Sequence, residues 1–385
     1  MHLGGLAMGL TKYKLGELIE LVLKTNSELR YGPDDVRGMT ITKEIIPTKA
    51  DVTGTDLSKF LVVSPGEFIY NPRTHGKRIG FGYNNTDDTF IISWNNIAFK
   101  VKASMKDVVL ADYLFLHFKR DEWDREACFQ SWGSSTEVFS WEALCDMEVD
   151  LPPLPIQQKY VDIYNAMLAN QQSYERGLED LKLVCDAYIE NLANCEYKKI
   201  GDYIERNKNR NQDNKFTVSD VKGFNNDGLF IEPMRLFSGD ITTFKIVTRN
   251  DFVYNSRINS TIKKLSIVIN EGEDLIVSPA YESFRVCREN ELSPFYLYLL
   301  LQRESFARKV LFNSFGSSTI VFGYDDLSEI EIPVPDFIEQ VALANIYRAY
   351  KERWGINEKL KAQIKDICPI LIKGSIEEAR KIKEA

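Results

Sequence analysis

The feature that most constrains this chain is that it repeats itself once. Tyr13–Glu20 (YKLGELIE) is matched by Lys198–Glu205 (KKIGDYIE), 185 residues on. Asp35-Val36-Arg37-Gly38 recurs as Asp220-Val221-Lys222-Gly223 at the same offset. Phe68-Ile69-Tyr70-Asn71-Pro72-Arg73 recurs as Phe252-Val253-Tyr254-Asn255-Ser256-Arg257 at 184. Gly133-Ser134-Ser135-Thr136 recurs as Gly316-Ser317-Ser318-Thr319 at 183, which sets Phe139 opposite Phe322. Matches in one order at a nearly constant offset mark a tandem duplication. The period is too long, and the copies too few, for a solenoid.

Each copy closes on a proline cluster and a long heptad stretch. After Pro152, Pro153 and Pro155 comes a 4-3 seam: Tyr160, Tyr164, Met167, Gln171, Tyr174, Leu178, Leu181, Cys185, Tyr188, Leu192. After Pro333 and Pro335 the seam runs Leu343, Ile346, Tyr350, Arg353, Asn357, Leu360, Ile364, Ile367, Leu371. A period nearer 3.5 than 3.6 favours a long helix paired with a similar one. The polar seam members Gln171, Arg353 and Asn357 suit register setting, and Gly355 should weaken or bend its helix. The expected arrangement is an antiparallel coiled coil within one chain, relating the two copies by a pseudo-twofold.

Between the closures, short β-rich runs broken by turn residues predict strands. They are Phe60–Val63, Glu67–Tyr70, Thr89–Trp94 and Ile97–Val101, then Thr243–Val247, Asp251–Tyr254, Ser266–Ile269 and Leu275–Ser278. Tyr113–Phe118 and Pro294–Arg303 read as helices, Tyr13–Glu20 as a short helical entry. The expected class is α+β, with two tandem mixed α/β domains each followed by a long helix. The expected divisions are 12–150, a helix over 151–195, 196–332, a helix over 333–373, and a tail over 374–385.

Composition narrows the function. With 44% hydrophobic and 27% charged residues the chain reads as a soluble globular protein. No apolar run is long enough for a membrane span, and the start lacks the marks of a signal peptide, so the cytoplasm is the expected location. Six scattered cysteines (Cys128, Cys145, Cys185, Cys195, Cys287, Cys368) and three histidines argue against a disulfide framework or a zinc site. A net charge of −8 argues against indiscriminate nucleic-acid coating while leaving room for a local basic face.

Motifs for nucleotide, metal or nucleophilic catalysis are missing: no phosphate-binding glycine loop, no H-E-x-x-H helix, no G-x-S-x-G elbow. Asn71-Pro72-Arg73-Thr74 only half resembles an adenine methyltransferase loop. The acidic pairs Asp87-Asp88 and Asp325-Asp326 read as turn and cap residues. The positive signal is polar, basic loops at matched places. Asn71, Arg73, His75, Lys77 and Arg78 face Asn255, Arg257, Asn259, Lys263 and Lys264 in the second copy. Arginine and lysine can donate to guanine O6 and N7, asparagine can pair with adenine, and lysines and hydroxyls suit phosphates. Arg206, Lys208 and Arg210 form a similar stretch, and Arg37 and Lys222 occupy matched basic positions. Ser134, Ser135, Ser317 and Ser318 offer hydroxyls and backbone N–H groups at tight turns, as ST-turns and helix caps also do.

A duplicated α/β domain, each copy followed by proline and a long helix, resembles the DNA-specificity (S) subunit of Type I restriction–modification enzymes. The resemblance rests on Leu151-Pro152-Pro153-Leu154-Pro155-Ile156-Gln157-Gln158 and Ile332-Pro333-Val334-Pro335 through Glu339-Gln340 with their helices. The Tyr-Lys-Leu-Gly-Glu and Lys-Ile-Gly-Asp openings and the Gly-Ser-Ser turns fit as well. It implies two target-recognition domains, each reading one half of a gapped site on double-stranded DNA. It implies helices that form the spacer and dock methyltransferase (modification) subunits, two in number, with restriction subunits joining through them. It also implies a subunit with no catalytic residues and no bound cofactor, S-adenosylmethionine, ATP and Mg belonging to the partners. A coiled-coil scaffold without DNA specificity is the alternative, and a stand-alone nuclease or methyltransferase a third.

Overall fold

A computed structural model describes residues 9–384 except 76, 133–136, 193–194, 227, 234–238, 259–264 and 313–319. It divides into two compact units. Unit one comprises the chain up to Ser173 together with the chain from Asn357 onward, and unit two is Tyr174–Ile356.

Unit one is built on a four-stranded antiparallel sheet ordered Ile19–Leu21, Ile97–Val101, Phe68–His75, Arg78–Tyr83. Three two-stranded antiparallel ladders surround it. Thr11–Lys14 pairs with Glu148–Leu151, Arg37–Met39 with Ile45–Pro47, and Leu61–Val63 with Phe90–Ile92. Phe68, Ile69 and Tyr70 are all buried because the sheet is covered on both faces. Alternation with period two sends Phe68 and Tyr70 to the large aromatic core and Ile69 to a smaller cluster with Val63 and Ile92.

Unit two repeats this plan. Its central sheet is ordered Ile204–Arg206, Glu282–Val286, Phe252–Tyr254, Ile267–Ile269. The matching ladders are Tyr197–Lys199 with Glu331–Pro333, Gly223–Phe224 with Phe230–Ile231, and Lys245–Val247 with Leu275–Val277, and a fourth joins Arg257–Ile258 to Ile320–Val321. Phe252 and Tyr254 again enter the large core while Val253 joins a smaller one. The duplication read from the sequence is thus a duplication of topology. All eight expected β-runs contain strands, and the helices form at Ala111–Phe118 and Pro294–Gln302. The expected short helical entry within Tyr13–Glu20 forms as one turn, Leu15–Leu18, with strand on either side of it.

The short motifs gain physical meanings here. A Cβ on Gly16 would lie 2.8 Å from Cys145 Cβ, and one on Gly201 would lie 2.9 Å from the Ser328 carbonyl oxygen. Each glycine lets the opening segment close on a later helix of its own unit. The glutamine after each proline cluster is a clip. Gln157 Oε1 accepts from Leu110 N–H at 2.9 Å, and its Nε2 donates to Val108 O and Pro152 O at 2.9 and 2.7 Å. Gln340 accepts from Ser293 N–H at 2.9 Å and donates to Glu291 O and Pro335 O at 2.8 and 2.9 Å.

The copies differ at one matched turn. Lys43 holds a left-handed φ of 67°, and its buried ammonium pairs with buried Asp124 over the Trp123 ring. At the matching position Gly228 (φ 73°) leaves room for the Tyr298 hydroxyl, which a Cβ would strike. A salt-bridged lysine in one copy is replaced by glycine and tyrosine in the other.

The long helices are Leu154–Asn191 and Phe337–Glu384. Each contributes to both units, and within each unit their segments pack antiparallel. In unit one Lys159 and Tyr160 meet Glu378, while Gln171 Nε2 donates to Asn357 Oδ1 at 3.0 Å. In unit two the Tyr188 hydroxyl donates to Glu339 at 3.1 Å. Gln171 and Asn357 are buried as seam residues, but Arg353 is exposed. Tyr160, Met167, Tyr174, Leu181, Ile346, Tyr350, Leu360, Ile364 and Ile367 are half-buried, while Tyr164, Leu178, Leu192 and Leu371 are buried.

Two helix expectations need correction. Tyr188 is 42% exposed and Ile189 is buried, because about 3.6 residues per turn drifts off a strict seven-residue repeat. Residues 374–384 are no tail: the helix runs on to Glu384, with Ser375 and Ala379 buried and the Tyr113 hydroxyl 2.6 Å from Ser375 Oγ. The same helix passes through Gly355 and Pro369 unbroken.

Candidate nucleic-acid interface

The Asn-x-Arg segment is held identically in the two units. In unit one the strand Phe68–His75 is interrupted by a bulge between Tyr70 and Thr74. Bulges bend a strand and re-aim its side chains. Asn71 Oδ1 accepts the Arg73 N–H at 3.0 Å, an Asx turn. Phe139 N–H donates to Pro72 O at 2.7 Å, and Arg73 bridges to Val138. In unit two Asn255 Oδ1 accepts the Arg257 N–H at 3.0 Å, and Phe322 N–H donates to Ser256 O at 2.8 Å. There Arg257–Ile258 pairs antiparallel with Ile320–Val321, Arg257 opposite Val321. Phe139 and Phe322 are fully buried and anchor the crossing segments. The preceding Tyr70 and Tyr254 rings are equally buried, and burial pushes both phenols far up.

This construction leaves Arg73 and Arg257 in solvent at matched places. Directly opposed residues of a ladder point to the same face, so Arg73 shares its face with Val138, and Arg257 with Val321. Both valines are exposed, at 41% and 45%. Trp132 pairs in turn with Val138 through two backbone hydrogen bonds of 3.2 and 3.1 Å. Unit one therefore presents a row Arg73–Val138–Trp132. Sequence reasoning missed the valines because their pairings with the arginines join residues more than sixty positions apart, and it missed Trp132 because that residue joins the row only through Val138.

The other expected residues divide by what holds them. Lys77 is exposed at a left-handed φ of 64°, where His75 closes the strand before it. Lys208 is exposed. Among the described residues no carboxylate is paired with Arg73, Lys77, Lys208 or Arg257. Arg78 reaches Asp121 at 3.2 Å, and Lys222 is bonded to Glu232. Arg206 lies over the Tyr324 ring at 4.6 Å, with Glu282 and Asp325 within 4.0 Å. Arg37 donates to Asp34 O at 2.7 Å and Arg210 to Asn209 O at 3.0 Å, each serving its own turn. The Asn71 and Asn255 carbonyls are engaged by the Asx turns. Ser134, Ser135, Asn259, Lys263, Lys264, Ser317 and Ser318 lie outside the described residues.

Among the described residues no group of three or more His, Cys, Asp or Glu side chains could hold a metal. Burial pushes the Cys368 thiol up to about 11, which keeps it protonated and a poor nucleophile. No helix among the described residues is long and apolar enough to cross a membrane.

Residues 189–366 match the model of the Type I restriction modification DNA specificity domain. No curated protein matches the chain in sequence. Among solved structures, the S subunit of a Type I restriction-modification system from M. genitalium aligns over 97% of this chain and 98% of its own, with a TM-score of 0.61 and 11% identity. The HsdS subunit from Thermoanaerobacter tengcongensis aligns over 98% and 99%, with a TM-score of 0.41 and 14% identity. A chain from a study of complex assembly and conformational transition of the type I R-M system aligns over 96% and 97%, at 0.43 and 13%. The two findings converge: residues 189–366 are similar to a Type I restriction modification DNA specificity domain, and nearly the whole chain shares the fold of the M. genitalium S subunit.

Proposed function

We propose that the chain is the DNA-recognition subunit of a Type I restriction–modification complex and reads an asymmetric bipartite site, one half with each copy of its domain. The observation that carries this reading is the duplicated Asn-x-Arg construction, which holds Arg73 and Arg257 in solvent on the same framework in both copies. Their neighbours differ, since Lys77 and Arg78 have no basic match at the same places in the second copy. Similar frames with unlike donors suit unlike half-sites. The paired helices act as the ruler for the gap and as the docking site for two methyltransferase subunits, through which restriction subunits join. In this reading the chain itself catalyses nothing, and S-adenosylmethionine, ATP and Mg bind the partners. It works in the cytoplasm.

The test is a pair of arginine variants in the assembled complex. Arg73→Ala should relax base preference in one half-site and Arg257→Ala in the other, each costing about 1–3 kcal/mol. A uniform loss across all sequences would demote that arginine to a phosphate contact. Removing one heptad from both helices shortens the ruler by about 10 Å, roughly three base pairs at about 3.4 Å each. The preferred gap should shorten, or binding fail, with the half-sites unchanged.

A further inference from the structure

Phe129 and Phe312 are matched residues, 183 positions apart, and each ends its helix: Asp121–Phe129 in unit one and Glu304–Phe312 in unit two. Each holds most of its ring in water, at 82% and 87% exposure. One exposed phenylalanine needs no explanation, but the same exposure at the same point of both copies does. Among the described residues, packing within the unit does not supply it, because the buried residues of these helices are others: Trp123, Asp124 and Ala127 in one, Phe306 and Val310 in the other.

The surroundings say what the rings face. Trp132, three residues past Phe129, is 80% exposed and sits in the row Arg73–Val138–Trp132. Arg73 is the cation of that row and exposed Lys77 follows it by four residues; among the described residues neither is paired with a carboxylate. Among the described residues the ladder carries one carboxylate, Glu137, which accepts from the Thr74 hydroxyl at 3.3 Å, while the helix ending at Phe129 carries exposed Glu126 and a Glu122 paired with Arg125. In unit two Arg257 and Val321 repeat the first two members of the row. A protruding aromatic beside unneutralised arginine complements a surface that is anionic at its rim and stacked and apolar within. Duplex DNA is such a surface.

We infer that Phe129 with Trp132, and Phe312 in the second copy, are base-contacting wedges: each enters a groove beside the arginine of its own copy and presses on a base step. The arginine positions the domain and reads a base edge. The aromatic ring senses how readily the adjoining step unstacks, which varies with sequence. The inference rests on the proposed function and adds specificity-determining residues to it.

The test uses the full chain assembled with its methyltransferase subunits and a pool of random-sequence DNA duplexes. Wild type, the double variant Phe129→Ala/Trp132→Ala, and Phe312→Ala are each taken through rounds of binding and sequencing. Unfolding midpoints check that the exposed substitutions leave the fold intact. The expected result is that each variant loses base preference over adjoining positions in one half-site, a different half for each. Binding should fall about tenfold, the scale of one base–aromatic contact. If the variants select the wild-type sequences with affinity within about twofold, the wedge is overturned while the reading of DNA by this chain stands. If they bind DNA normally but fail to assemble, the rings cover a protein partner and the inference is equally overturned. If wild type selects no sequence, the proposed function falls and the wedge with it.

Discussion

Replacing Gln157 by leucine removes one side chain of nearly the same volume and strands three backbone groups. Leu110 N–H, Val108 C=O and Pro152 C=O each lose their partner at 2.7–2.9 Å, at a glutamine with no exposed surface. A buried polar group left unsatisfied costs about 1–3 kcal/mol. Three of them amount to roughly 3–9 kcal/mol, with the lower end reached if water enters the gap. A typical domain has only about 5–15 kcal/mol in hand, so unit one should lose a large part of its stability. Gln340→Leu is an internal replicate, since it strands Ser293 N–H, Glu291 C=O and Pro335 C=O in unit two. Urea unfolding reads the stability loss, and amide exchange at Leu110 and Ser293 reads the loss locally. Losses below about 1 kcal/mol in both variants, with both amides still protected, would refute the clip as an anchor of the long helices.

Gly16→Ala should destabilise unit one by about 1–3 kcal/mol, because the new methyl falls 2.8 Å from Cys145 Cβ; Gly201→Ala, against the Ser328 backbone, should do the same in unit two, both read by thermal unfolding. Asp124→Ala leaves the Lys43 ammonium buried without its counter-charge and should cost about 3–5 kcal/mol, whereas the apolar pair Lys43→Met/Asp124→Leu should recover much of it in urea titrations. Burial, and then the Arg120 guanidinium, hold the His117 imidazole well below its ordinary 6.5. A depressed value in the folded state gives stability that is complete above pH 6.5 and is lost as pH falls through the folded value, by up to about 1.4 kcal/mol per unit. His117→Gln should flatten that part of the stability–pH curve; an unchanged slope would show that another group carries it.

Much of the fold is legible in the sequence because it is written twice. Phe68-Ile69-Tyr70 and Phe252-Val253-Tyr254 announce central strands by β-rich composition, and their buried middle residues serve a second core on the far face of the sheet. The polar seam residues Gln171 and Asn357 are buried and bonded to each other, as register-setting residues should be. Local patterns fail where a distant partner decides. The second helix outruns its seam because Tyr113 and Tyr160 supply packing for the turns at Ser375 and Glu378. The candidate basic residues are legible as residue types, but their availability is not. Lys222 and Arg78 are tied to Glu232 and Asp121, while Arg73 and Arg257 stand free of carboxylates among the described residues.

The central claim is that two copies of one domain read two different half-sites, and methylation mapping tests it most directly. Genomic DNA is exposed to the complex assembled from this chain and its methyltransferase subunits, then sequenced for modified bases. The expected result is a single recognition sequence made of two unlike specified halves, separated by a fixed run of unspecified base pairs. A continuous or palindromic site, or methylation without sequence preference, would contradict the account.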